Sequence, residues 1–181
     1  MYGRTDNIDS TSWEATAHVD TVQNVNAWTK AGVMIRAGLT ANSPHASLFV
    51  SPSKGIAYQR RLTAGGVSVS TPGPALTAPV WLRLTMQRSA EQESVRAYYR
   101  KNVTDPWPLI GQDTFPTVMP QPLLGLAVTS HAAGTLATAT FSNVRAGGLG
   151  TGWTGANVGS TSGSASTDGT VFDVTGGGAD T

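Results

Sequence analysis

Between Lys30 and Arg61 the chain reads KAGVMIRAGLTANSPHASLFVSPSKGIAYQRR, and apolar residues recur there with a period of two. That period places successive side chains on opposite faces of an extended chain, which suits a strand and not a helix. Three strands are expected, Ala31–Leu39, Ala46–Ser51 and Gly55–Leu62, cut by turns that carry Asn42, Pro44, Pro52 and Gly55. Val, Ile, Phe and Tyr between clusters of Pro, Gly and Ser mark an antiparallel meander.

The rest of the chain repeats the pattern. Trp13–Val22 alternates Trp13, Ala15, Ala17 and Val19 against Glu14, Thr16, His18 and Asp20, as a half-exposed strand does. Trp81–Arg88 and Ser94–Arg100 alternate likewise and read as a hairpin joined by the polar Ser89–Glu93. Leu123–Thr129 is nearly continuous apolar, as in a strand covered on both faces, Leu136–Val144 alternates again, and Val67–Ser70 is one short further strand. No stretch keeps a helical period for three turns. With 21 Gly and 10 Pro in 181 residues, the composition suits many short strands and tight turns within one all-β domain, 1–181. Residues 1–145 form its main body, and 146–181 contain no Lys, Arg or Glu and are mostly Gly, Ser, Thr and Ala. Within that segment Val171, Phe172 and Val174 are a β-favouring patch after the turn signal Asp168-Gly169.

The stretches AGVMIR and SPHASLFVSPSKGIAYQRR resemble the concanavalin A-like β-sandwich modules of secreted bacterial proteins, some of them attached to polysaccharide-degrading enzymes. LLGLAVTSH and GTLATATFSNV are similar to the closing strands of those modules. The resemblance implies a two-sheet antiparallel β-sandwich of the lectin/glucanase, jelly-roll type, in an extracellular or cell-surface protein. It also implies a permuted order. The modules open with pieces that stand here at the C-terminus: Asn157-Val158-Gly159, GSAS at 163–166, Asp168-Gly169-Thr170 and VFDVTGGGADT at 171–181. Joining Thr181 to Met1-Tyr2-Gly3 restores the family-like order, either as a circular permutant or as one period of a tandem array. The second case is favoured and leads to an expectation of a non-catalytic structural or adhesive repeat that assembles head-to-tail with other copies into a fibre, in which Val171, Phe172 and Val174 add a strand beside the segment of Met1 and Tyr2. The alternative is a carbohydrate-binding module that tethers a secreted enzyme to polysaccharide. The start of the chain carries neither the charged nor the apolar region of a signal peptide.

Chemistry is sparse. A net charge of +1 supplies no basic stripe for nucleic acid and no polybasic membrane signal, and no apolar run reaches the length of a membrane span. The absence of cysteine removes disulfides and thiolate metal sites. His18, His45 and His131 lack metal-ligand spacing and are expected in turns or at the surface. No cofactor is expected. Calcium, which sandwiches of this type hold through Asp, Asn and carbonyl oxygens, is compatible with the composition, although no loop carries a dense D-x-D-x-D run. Glycosidases need paired carboxylates, and no strand offers such a cluster; Glu91 and Glu93 fall in a polar turn, where a solvated role is expected. A non-enzymatic protein is therefore expected. What the sequence offers for binding is a set of polar residues in strand phase: Arg36, Gln59 with Arg61, and Trp81 with Arg83. On aligned faces they would form one patch suited to a polysaccharide, an aromatic ring stacking on the sugar while Arg and Gln donate to hydroxyls. Trp28, on a polar turn beside Asn24 and Asn26, is a second candidate, and Asn102-Val103-Thr104 is a lone glycosylation sequon.

Overall fold

A computed structural model describes residues 1–5, 11–146 and 153–178. Those residues form fourteen strands. They are β1 (Tyr2–Thr5), β2 (Ser12–Val22), β3 (Lys30–Arg36), β4 (His45–Ser51), β5 (Gly55–Arg61), β6 (Val69–Pro72) and β7 (Val80–Arg88). β8 (Glu93–Arg100), β9 (Leu109–Phe115), β10 (Leu123–Thr129), β11 (Ala137–Ala146), β12 (Thr154–Gly155), β13 (Gly163–Thr167) and β14 (Val171–Gly176) follow. Two seven-stranded antiparallel sheets result. The first runs β12-β1-β10-β3-β4-β5-β6 and the second β13-β14-β11-β2-β7-β8-β9. The expected all-β, two-sheet antiparallel sandwich is the fold of this chain.

The core lies between the sheets and follows the alternation. Val33, Ile35, Leu48, Val50, Ile56, Tyr58, Leu124 and Leu126 enter it from the first sheet. Trp13, Ala15, Ala17, Val19, Leu82, Leu84, Met86, Val95 and Phe141 enter it from the second. β10 is covered on both sides, as its apolar run predicts: Leu124 and Leu126 face the core, and Ala127 joins Met34 and Phe49 in a small cluster on the other face. Gly32, inside AGVMIR, is needed where it stands, because a Cβ there would overlap the Leu48 carbonyl of β4.

The tail belongs to this sandwich. β14 pairs with β11 along Ala137–Ser142, and β13 pairs with β14 as a hairpin. Its turn is built by Asp168, whose carboxylate accepts from the Thr170 and Val171 amides at 2.8 Å each, while Gly169 takes a positive φ of 97°. Those amides hold the Asp168 carboxyl down at about 2. The sequence suggests that backbone ladder bonds alone would anchor so polar a segment. In fact Phe172 and Val174 also enter the core, with Phe172 packed on Trp153 at 5.1 Å.

The expected neighbour of Val171–Thr175, an N-terminal segment, is corrected. β14 lies beside β11 of its own chain, whereas β1 pairs with β10 in the opposite sheet. The two described ends nevertheless come together near β10: Met1 packs against the cluster of Met34, Phe49 and Ala127, and the Thr129 hydroxyl donates to the Gly178 carbonyl at 2.8 Å. The expected meeting of Thr181 with Met1 falls outside the described residues.

Candidate functional site, a roofed cleft on the first sheet

The outward face of the first sheet is built in cross-strand rows. One row is Arg36, His45 and Arg61, paired directly across β3, β4 and β5. The next row is Met34, Ser47 and Gln59, and the third is Gly32, Phe49 and Ala57. An outward face of an antiparallel sheet is ordinarily wet, yet here Met34, Arg36, His45, Ser47, Phe49 and Arg61 are all buried.

Two segments cover it. The loop between β3 and β4 curls over the basic row. Arg36 Nε donates to the Gly38 carbonyl and its Nη2 to that of Thr40 at 2.8 Å, while Arg61 donates to the Ala41 carbonyl at 2.5 Å and to Gly66 at 2.9 Å. The second cover is the strap between β12 and β13. It starts beside Met1, where the Ala156 amide donates to the Met1 carbonyl at 2.9 Å. It then reaches the first loop, where the Gly159 amide donates to the Leu39 carbonyl at 2.9 Å. It returns to the sheet end, where the Ser162 carbonyl accepts from the Gly177 amide at 3.1 Å. A Cβ on Gly159 would lie 3.3 Å from the Ala41 methyl, so the strap passes close over the loop.

Between strap and sheet lies a cleft of about 270 Å³. Its floor includes Met34, Phe49 and Ala127 with Arg36, His45 and Gln59; Ser68–Ser70 wall one side, and Asn157, Val158, Thr161 and Ser162 the other. No carboxylate is among its described lining residues. Burial and the neighbouring Arg36 and Arg61 charges push the His45 imidazole down to about 4, so it is neutral at pH 7. Arg36 is lowered to about 10 by burial and by Arg61, and stays charged.

The polar patch expected from strand phase divides in two. Arg36, Gln59 and Arg61 share the outward face of the first sheet, with Arg36 and Gln59 lining the cleft. Trp81 and Arg83 lie on β7, which belongs to the second sheet, and face away from the core on the far side of the sandwich. Alternation tells which residues leave the core, not which sheet a strand joins. There Arg83 pairs with Glu14 at 2.6 Å, and Arg100 lies over the rings of Trp81 at 4.8 Å and Trp107 at 4.4 Å. Trp28 is exposed, with the Lys54 ammonium 5.0 Å from its ring centre, and does not line the cleft. His45, expected at the surface, is buried because the β3–β4 loop folds over it. Glu93, expected in a solvated turn, is fully buried on β8, paired with Arg88 at 2.6 Å and accepting from the Met119 amide at 3.1 Å.

One Ser–His–Asp group sits on the second sheet, and its geometry is not that of a hydrolase. Ser142 donates to Asp20 at 2.9 Å, and both Asp20 and Ser142 approach the same ring nitrogen of His18, Nδ1, at 2.5 and 3.4 Å. A triad needs acid and nucleophile on opposite ring nitrogens. Among the described residues no group of three or more His, Cys, Asp or Glu could hold a metal ion.

A functionally unknown protein from Saccharomyces cerevisiae is similar in structure, with a TM-score of 0.50 and 14% identity over 96% of this chain and 69% of that one. Scytalido-glutamic peptidase, solved with a peptide-based transition-state analogue, scores 0.47 at 10% identity over 96% of each chain. The first likeness shows the fold alone, and no chemistry carries over from either. No protein-family model and no curated protein matches the chain.

Proposed function

We propose that this chain is a non-catalytic, extracellular carbohydrate-binding module whose site is the roofed cleft of the first sheet. The carrying observation is the composition of that cleft: Phe49 and Met34 offer an apolar floor, while Gln59, His45, Asn157 and Ser70 offer donors and acceptors around it. A sugar ring presents the same two kinds of surface. At about 270 Å³ the cleft lies just below the usual ~300–1,000 Å³ of small-molecule pockets, which suits the end of a glycan and not a long stretch of one. Glycoside hydrolysis would require two carboxyl groups about 5–10 Å apart across the bond, and the described lining residues carry none.

A glycan array followed by calorimetry on the best oligosaccharide tests this reading. Gln59→Ala is expected to weaken binding by about fivefold or more, the value of one hydrogen bond, because its amide faces the cleft. Trp81→Ala, on the opposite sheet, is expected to leave the affinity unchanged. Equal losses from the two variants, or shortened oligosaccharides after incubation, would overturn the assignment. Assembly into a fibre would need β14 to exchange its own β11 for that of a neighbour, since β11 is already paired on both sides. Light scattering is expected to give one mass at all concentrations, and a mass that grows with concentration would favour the fibre.

A further inference from the structure

The row Arg36–His45–Arg61 is an arrangement that stability does not explain. Like charges directly opposite on neighbouring strands repel. Here two guanidiniums flank an imidazole, all three are buried, and among the described residues neither arginine has a carboxylate partner. Carbonyls of Gly38, Thr40, Ala41 and Gly66 accept their N–H groups, but a carbonyl dipole leaves the net charge of a guanidinium in place. The charged groups facing His45 are Arg36 from β3 and Arg61 from β5. The Met1 amino group also lines the cleft, donating to the Ala156 carbonyl at 2.9 Å and lowered by burial and by Arg36 to about 6, while the strap residues Asn157–Gly163 and Ser68–Ser70 carry no charge. Arg36 and His45 line the cleft, so a positive potential opens into a partly desolvated space with no carboxylate among its described lining residues.

We infer that the Arg36–His45 end of the cleft is an anion subsite, and that the glycan it takes carries an acidic group, a uronate carboxylate or a sulfate ester, seated there with the sugar ring over Phe49 and Met34. The inference rests on the sugar-binding reading above and narrows it to acidic sugars. The order of the rows supports this placement: basic residues lie at one end of the floor, Met34 and Gln59 in the middle and Phe49 at the other end. An amphiphilic ligand of that polarity has one orientation. His45 supplies a reporter, because its depressed pKa arises from burial and from two positive neighbours, and an anion beside it reverses the second cause.

The test compares a galacturonate disaccharide with the same disaccharide reduced at its carboxyls to the neutral sugar, and with a sulfated disaccharide. The acidic ligand is expected to bind at least about tenfold tighter than the neutral one, the worth of a charge-assisted hydrogen bond. That preference is expected to shrink in about 1 M salt. In an NMR titration the bound acid is expected to raise the His45 pKa from its value of about 4. Arg36→Gln should abolish the preference. Since Arg36 and Arg61 both hold the β3–β4 loop through its carbonyls, Arg36→Lys serves as the second variant: it gives up the guanidinium's fork of loop contacts as Arg36→Gln does but keeps the positive charge, and should keep the preference. Carboxylate and sulfate are told apart by which acidic disaccharide binds more tightly. Neutral sugar binding as tightly as acidic, with the His45 pKa unmoved, overturns the anion subsite and leaves the sugar-binding reading intact. Binding of none of the three sugars overturns both.

Discussion

Replacing Phe172 by Ala is expected to destabilise the protein by about 3–5 kcal/mol, the cost of emptying an aromatic site in a packed core. Phe172 comes from the Gly-, Ser- and Thr-rich tail, which composition alone would assign to a linker. It is buried, stands opposite Phe141 in the β14–β11 ladder and packs on Trp153. Guanidinium denaturation of the purified chain measures the effect. The same experiment decides how the tail is used. With β14 on its own β11, the midpoint is independent of protein concentration; pairing between copies would make it rise with concentration. A change below about 1 kcal/mol would mean that the tail does not complete the core in solution.

Acidification is expected to weaken the fold over a defined range, through His45. Its folded pKa is lowered to about 4, against an ordinary 6.5 when unfolded. Between those values the unfolded chain binds the extra proton, so stability falls as pH drops below about 6.5 and the loss is complete below about 4. A shift of that size is worth about 3 kcal/mol in all and about 2 kcal/mol at pH 5. Asp168 acts in the same direction but lower, since its pKa of about 2 matters only as pH falls below the ordinary 3.8. The Met1 amino group, lowered by burial and by Arg36 to about 6 from the ordinary 8.0, acts in the same direction mainly between pH 8 and pH 6. The share of His45 is therefore read as the difference between the wild-type and His45→Gln profiles from pH 7 to pH 5. His45→Gln, which cannot take up the proton, should flatten the profile over that interval; an unchanged slope would mean that His45 does not carry it.

The strands were legible wherever a face alternates or a run is apolar. β3, β4, β5, β7, β8 and β10 fall within a few residues of their expected positions, because side chains that must reach the core repeat every second residue. The strands that escaped are of another kind. β13 is GSAST and carries no large apolar residue; it is a strand because β14 offers an open edge of backbone donors and acceptors. β9, LIGQDTF, mixes polar residues into an edge position in the same way. β1 was hidden in an opening segment poor in strand formers and is held by β10 on one side and β12 on the other.

The site was half legible. That Arg36, Gln59 and Arg61 leave the core in one direction follows from phase, and so does the outward turn of Trp81 and Arg83. Phase is a property of one strand, and sheet membership is a property of all of them. The sequence therefore could not show that β7 lies in the other sheet, with Trp81 and Arg83 on the far side of the sandwich. Glu93 shows the same limit: its neighbours in the chain make a polar turn, but Arg88 and the Met119 amide meet it in space and allow it to be buried.

By itself, then, the sequence determined an all-β chain, the residues that face its core and the turn at Asp168-Gly169, because each depends on neighbours within a few residues. Only the tertiary structure decided that residues far apart in the chain, the loop after β3 and the strap after β12, fold over one sheet face. That closure turns a basic row into a buried one and an open face into a cleft, because covering a surface depends on distant chain segments meeting, and no local pattern records where they meet.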